Sequence, residues 1–413
     1  MSEAEGSARS TRLMATSFMA LFAIVGLTLY GLPLYYPKFM TELGWSRGEV
    51  TFGNMLGKLA IGPLFGFLVG WMIEKRGPRA PLIAGLLVAG GAVAMLGNTS
   101  VYWLFLVCYC FNALGYVLAG PLPNQVLLSN NFKEQRGRAM GIAYVGIGIG
   151  AFFVPQLTKY LQAEFGWRSA LQILGAVIIL CGMPLVLMLN KDDVRPPPPK
   201  GPQPSLRDVL RSPSFYLIAL GSFASVGAVG AVMQHMMVYM TLDQGRNEAQ
   251  ALNVMSWIAG SSLLGRFGAG WLADRLGPKR VMLLVYLLVA TGAALLVWGP
   301  SGSSIYAFAL IFGLGLGGEY MIIPLMAGQI FGITVMGRVM GIIVTFDGVA
   351  EASIPYLVAR MYKWSSSYDL GFQFVLGLAL FGFVAIAVIP VRKHLAAAVP
   401  APTKPEADSG AVS

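Results

Sequence analysis

Twelve stretches of this chain are each long and apolar enough to cross a bilayer as a helix, which needs about 20 residues. They lie near 14–40, 49–74, 80–98, 101–128, 137–164, 168–190, 214–240, 250–275, 280–299, 303–329, 337–363 and 370–392. This pattern predicts an all-α membrane protein. Alternating strands with polar inward faces are absent from the sequence, which argues against a transmembrane barrel. Charged residues make up only 12% of the chain, against roughly 25% in a soluble domain. That shortage excludes a soluble enzyme, a disordered chain and a nucleic-acid-binding domain.

The net charge of +10 is a matter of topology. With the N-terminus in the cytoplasm, most Lys and Arg fall in cytoplasmic segments, as the positive-inside rule requires. Both termini are therefore expected inside. The first stretch is longer than a signal-peptide core and precedes no small-residue cleavage site, so it is expected to be retained. The longest cytoplasmic connection, 191–213, carries Pro196, Pro197, Pro198 and Pro199, which cannot continue a helix. The expected organisation is a tail (1–13), six spans (14–190), a Pro-rich linker (191–213), six spans (214–392) and a second tail (393–413).

The halves repeat at a shift of 200 residues. Gly70-Trp71-Met72-Ile73-Glu74-Lys75-Arg76-Gly77-Pro78-Arg79 lies over Gly270-Trp271-Leu272-Ala273-Asp274-Arg275-Leu276-Gly277-Pro278-Lys279. Arg138-Ala139-Met140-Gly141 lies over Arg338-Val339-Met340-Gly341, and Pro155 over Pro355. Two blocks sharing one offset indicate parallel six-span repeats. Glu74 and Asp274 sit at helix ends beside Lys75, Arg79 and Arg275, with Arg138 and Arg338 opposite. The pattern predicts ion pairs that hold one face shut.

The duplicated loop resembles the signature of the major facilitator superfamily, over roughly 14–392. The run Phe132-Lys133-Glu134-Gln135-Arg136-Gly137-Arg138-Ala139-Met140-Gly141-Ile142-Ala143-Tyr144 is similar to the loop 4–5 motif of its monocarboxylate porters. Gly44-Trp45-Ser46-Arg47 resembles their bacterial members. The resemblance implies two pseudo-symmetric six-helix bundles, alternating access, a span 8 arginine on the substrate carboxylate (here Arg266) and a span 4 tyrosine nearby (here Tyr116). Animal porters carry an acid four residues before that arginine, where this chain has Ser262.

Five charges lie within spans: Lys58, Arg266, Glu319, Asp347 and Glu351. Each costs at least about 2.5 kcal/mol at the bilayer centre unless compensated. Arg266 shares a helix face with Ser262, and its repeat counterpart is Gly66. A guanidinium there can clamp a carboxylate with two parallel hydrogen bonds or pair with a neighbouring acid. Asp347 and Glu351 share a face of span 11 and repel, which suits a proton carrier. Either can instead pair with Lys58 on span 2. Glu319 is a second proton site or a satisfied group among glycines. His235, near the outer end of span 7, can sense external pH or be solvated. Tyr30, Tyr116, Tyr144 and Tyr320 fall mid-span, with Asn112 one turn before Tyr116.

Cys108, Cys110 and Cys181 all lie in spans, and two histidines offer little for a metal site. No cofactor, metal, nucleotide-binding domain or accessory subunit is expected. The expectation is a monomeric carrier of the bacterial inner membrane, no enzyme, moving a lactate- or pyruvate-like monocarboxylate with a proton. An oxalate/formate-type exchanger and a drug exporter are the alternatives.

Overall fold

The computed structural model describes residues 3–132, 134–190, 193, 204–298 and 302–390, with backbone alone for Glu3, Ala4, Arg47, Lys58 and Pro63. The described residues form helices and connections, without strands. The first half comprises α1 (Glu5–Leu43), α2 (Arg47–Leu56, Gly57–Ile61 and Gly62–Arg76), α3 (Arg79–Leu96) and α4 (Tyr102–Asn131). A continuous run Arg136–Leu187 completes it. That run is two spans, because Gly166 has φ 73° and ψ 159°, which only glycine adopts freely. They are α5 (136–165) and α6 (167–187). The second half comprises α7 (Pro213–Asp243), α8 (Glu248–Leu276), α9 (Pro278–Val297), α10 (Ser304–Phe331), α11 (Met336–Ser365) and α12 (Asp369–Ala387). The result is twelve helices in two pseudo-symmetric bundles of six. Residues 191–192 and 194–203 of the linker and the tail from 391 lie outside the described residues, while the last part of the linker forms a short helix, Leu206–Arg211.

Span 8 is the least apolar because Arg266 and the Asp274-Arg275 pair lie within it. α1 starts earlier than expected from hydropathy. Its first turns leave the apolar zone and are held by a polar cluster. Arg9 Nε bonds Asp193 Oδ1 at 2.6 Å and Arg12 Nη2 bonds Asp193 Oδ2 at 2.9 Å. Asn131 Nδ2 donates to the Asp193 carbonyl at 2.8 Å, and the Asn190 amide to its carboxylate at 2.9 Å. Burial pushes this carboxyl up, but the Asn190 amide and the two guanidinium groups outweigh it and hold it below its usual range. The face where α1 begins is called the terminal face below.

The halves touch there through glycines. α2 crosses α11 with Gly70 against Gly337, and α8 crosses α5 with Gly270 against Gly137. A Cβ at Gly70 would stand 2.3 Å from the Gly337 oxygen, and one at Gly137 2.1 Å from the Gly270 oxygen. No other residue fits such an approach. The two crossings are related by the 200-residue shift.

Asp193→Ala is expected to remove about 1.5–3 kcal/mol of stabilisation from charged hydrogen bonds. The unfolding midpoint in detergent at pH 7 should drop by several degrees. A depressed carboxyl stabilises above its unfolded value near 4 and ceases to do so as pH falls through the folded value. The gap from the unsubstituted protein should therefore close on acidification, as differential scanning fluorimetry against pH checks.

Candidate substrate site and gate

At the terminal face each half presents a carboxylate to a helix N-terminus of the other. Asp274 Oδ1 accepts from the Gly137 amide at 2.7 Å, and Oδ2 from the Arg138 amide at 2.9 Å. Glu74 Oε1 accepts from the Arg338 amide at 2.9 Å, and Oε2 from Arg338 Nε at 2.5 Å. Helix N-termini carry unsatisfied amides and partial positive charge, so a carboxylate there is doubly favoured.

The basic residues of the loop do other work, which corrects the expectation that they pair across the interface. Arg79 Nη2 donates to the Leu187 carbonyl at 2.8 Å, and its repeat partner Lys279 Nζ to those of Ala387 at 2.9 Å and Ile389 at 2.5 Å. Each caps the last helix of its own half. Lys75 lies 4.1 Å over Trp71, and Arg275 3.8 Å over Trp271. Only Arg338 contributes its side chain to a cross-half ion pair among the described residues. Arg138 contributes its backbone.

Between the halves, above these crossings, stands Arg266. Its own carbonyl lies against Gly141, so it rises from the α5–α8 contact. Nη1 donates to Ser262 Oγ at 2.6 Å, and Ser262 in turn donates to the Ala259 carbonyl at 2.8 Å. Ser262 thereby orients the guanidinium. The side chain is 8% exposed, and among the described residues no carboxylate bonds it. Tyr30 of α1 and Tyr144 of α5 lie within its electrostatic reach. Tyr144 is fixed by Gln125 Nε2 at 2.7 Å.

A second polar group adjoins it. Tyr320 of α10 donates to Glu351 Oε1 of α11 at 2.7 Å. Tyr116 of α4 sits beside Tyr320, Tyr144, Tyr30 and Glu351. Asn112 Nδ2, one turn away, is buried without a hydrogen-bond partner. Tyr30, Tyr116, Tyr144, Arg266, Tyr320 and Glu351 thus converge from six helices, three in each half.

Two further acids lie within electrostatic reach of Glu351 and turn to α7. Asp347 of α11 accepts from Ser222 of α7, and Glu319 of α10 from Ser225 of α7; each acid is 1% exposed. Asp347 and Glu351 share a helix face but turn to different partners. The Lys58 side chain lies outside the described residues, and with it the expected pairing on span 2. His235 is neither at the centre nor simply solvated: Nε2 lies 2.9 Å from the Pro355 carbonyl of α11, and Nδ1 3.1 Å from the Tyr368 hydroxyl. It ties α7 to α11 near the opposite face.

The Major Facilitator Superfamily model matches residues 14–355 and 247–407. The chain belongs to the Major Facilitator Superfamily. Its fold and family are those of transporters, not enzymes. Among curated relatives it is similar to the agnestins efflux protein AgnL12 of Paecilomyces divaricatus, 26% identical over 84% of this chain and 79% of that one. It is also similar to monocarboxylate transporter 12 of Mus musculus, 24% identical over 78% and 74%. Among solved structures, the human organic anion transporter MFSD10 (TETRAN) overlays with a TM-score of 0.71 at 16% identity, covering 91% of this chain and 99% of that one. The E. coli fucose:proton symporter FucP overlays with a TM-score of 0.70 at 15% identity, covering 91% and 98%. Both overlays carry the major facilitator fold.

Sequence reasoning missed Gln125, Ser222, Ser225 and Tyr286 of α9. The spacing of Ser222 and Ser225, three residues apart on one helix face, was the available signal. The carboxylate clamps generate a prediction. Asp274→Ala or Glu74→Ala should each weaken closure of the terminal face by about 1.5–3 kcal/mol. Spin labels at the facing ends of α5 and α8, or of α2 and α11, should then report a longer-distance population by pulsed electron paramagnetic resonance.

Proposed function

We propose that this chain is a secondary active transporter that moves a small monocarboxylate, lactate- or pyruvate-like, together with a proton by alternating access. The observation that carries the reading is Arg266: a buried guanidinium at the contact of the halves, oriented by a serine and facing hydroxyls. A desolvated cation of this kind favours a small anion that accepts two parallel hydrogen bonds. The Tyr30, Tyr116 and Tyr144 rings suit a short apolar tail, and the unpartnered Asn112 amide offers one more donor. The resemblance to monocarboxylate transporters over most of the chain agrees with this substrate class.

The cycle follows from charge. The anion neutralises Arg266, and a proton neutralises an acid of the C-terminal half. With both charges cancelled, the halves rock, breaking the clamps at Glu74 and Asp274. The terminal face is assigned to the cytoplasm from the loop charges, with both termini inside. The expected bacterial inner membrane draws no support from the fungal and murine relatives. The protein acts as a single chain in this reading.

Arg266→Ala should abolish uptake of labelled lactate or pyruvate into proteoliposomes while leaving the amount of inserted protein unchanged. Arg266→Lys, which keeps the charge but loses the fork, should reduce kcat/KM at least tenfold. Normal uptake by Arg266→Ala removes the anion clamp. The efflux-protein relative supports a second reading, export of a bulkier compound. A thermal-shift panel separates the two: stabilisation by short carboxylic acids supports the first, and stabilisation by lipophilic amines without acids supports the second.

A further inference from the structure

Asp347 and Glu319 are buried in the C-terminal half, within electrostatic reach of each other and of Glu351 at the edge of the anion group. Ser222 donates to the Asp347 carboxyl and Ser225 to that of Glu319. The two serines stand three residues apart on one face of α7, so one helix reads both acids. The Tyr286 hydroxyl of α9 is buried and approaches Ser225, Glu319 and Asp347. Five oxygen-bearing side chains from four helices therefore meet there, the Tyr286 hydroxyl among them.

The charged and titratable surroundings can be enumerated helix by helix. α8 brings Arg266, whose Nη1 is on Ser262 and which faces Tyr30 and Tyr144. α9 brings Tyr286, α10 Tyr320 and α11 Glu351, the last two bonded to each other. α4 brings Tyr116 beside Tyr320. α12 brings Asp369 at its start alone, and α7 His235 at its far end, engaged with Pro355 and Tyr368. α2 carries Lys58, whose side chain is outside the described residues. Among the described residues no Lys or Arg bonds Glu319 or Asp347. Among the described residues, two ionised carboxylates in such a site have neutral hydroxyls but no cation bonded to them to offset their burial, whereas bound protons remove the charge altogether. Hydroxyl partners suit both states. Ser Oγ donates to a carboxylate and turns to accept from a carboxylic acid, which no guanidinium or ammonium does.

We infer that Glu319 and Asp347 form the proton-loading site of this carrier, beside the anion site but not bonded to Arg266, and that Ser222, Ser225 and Tyr286 are positioning residues through which α7 reads its protonation. The inference rests on the proton-coupled reading above and deepens it. Loss of the proton leaves carboxylates that draw the serines of α7 toward α10 and α11. Loading relaxes that pull. Because α7 also grips α11 through His235 near the opposite face, the charge state of the pair reaches that end of the C-terminal half as a movement of one helix.

The test uses the full chain in proteoliposomes with labelled lactate, measuring counterflow and accumulation driven by a pH gradient in parallel. Glu319→Gln and Asp347→Asn should retain measurable counterflow but bring the accumulation ratio to about one. Glu319→Asp should restore accumulation in part. Ser222→Ala and Ser225→Ala remove a donor to the ionised acid, so the pH profile of uptake should move to higher pH, by about half a unit to one unit. Tyr286→Phe should change the same profile with little effect on the KM for lactate at its optimum pH. If the unsubstituted protein accumulates lactate with a pH gradient and both carboxamide variants still do so, the pair is not the loading site, while the proton-coupled reading stands. If the serine variants leave the profile where it was, α7 does not read the pair. If the unsubstituted protein ignores the pH gradient, or follows a sodium gradient instead, the coupled reading fails and this inference with it.

Discussion

A carboxylate set against the amino end of a helix, used twice, is what makes two bundles into one molecule. Each is short-range, and each lies beside a crossing so close that only glycine serves. Backbone contact brings the amides of α5 and α11 within reach, and the carboxylates convert that proximity into charged hydrogen bonds. The glycine crossing without the carboxylate would leave orphan donors; the carboxylate without the glycines would have no partner to reach. Closure thus depends on both features being present together. It is localised at one face, which is the geometry a rocking mechanism needs.

The pseudo-symmetry of the clamp makes the asymmetry of the centre informative. Gly66 and Arg266 occupy equivalent places beside Gly341 and Gly141. In the first half this position is pure packing. In the second it carries a cation whose backbone still performs the packing. The acids are asymmetric too, since Asp347 and Glu351 replace Ile147 and Ala151 of the repeat. One half therefore serves chiefly as a wall bearing tyrosines, and the other holds four of the five charges within spans.

What the sequence made legible follows from energetic cost. Twelve spans and the duplicated loop could be read because apolar length and a repeated offset leave a direct trace in residue types. Arg266 could be read because a cation in hydrocarbon demands a reason. The partners of Asp274 could not be read, since they are backbone amides and every residue but proline has one. Lys75, Arg79 and Arg275 look like gate cations from their spacing, yet the nearest acceptors are tryptophan faces and helix-end carbonyls of their own half. Ser222, Ser225 and Tyr286 were obscured for a different reason: isolated hydroxyls are cheap within helices, where they bond the preceding turn. The early start of α1 was hidden because hydropathy registers only apolar length, while Arg9 and Arg12 extend the helix by binding Asp193.

The capping of Leu187 by Arg79, and of Ala387 and Ile389 by Lys279, has a mechanical consequence. In each half it ties the beginning of the third helix to the end of the sixth, closing six helices into a loop of contacts at the very face where the gate lies. A half braced in this way resists shear among its own helices. Work done at the centre is then delivered to the gate as torque on a stiff lever, so the loop that supplies the latch also supplies the stiffness that lets the latch be sprung from a distance.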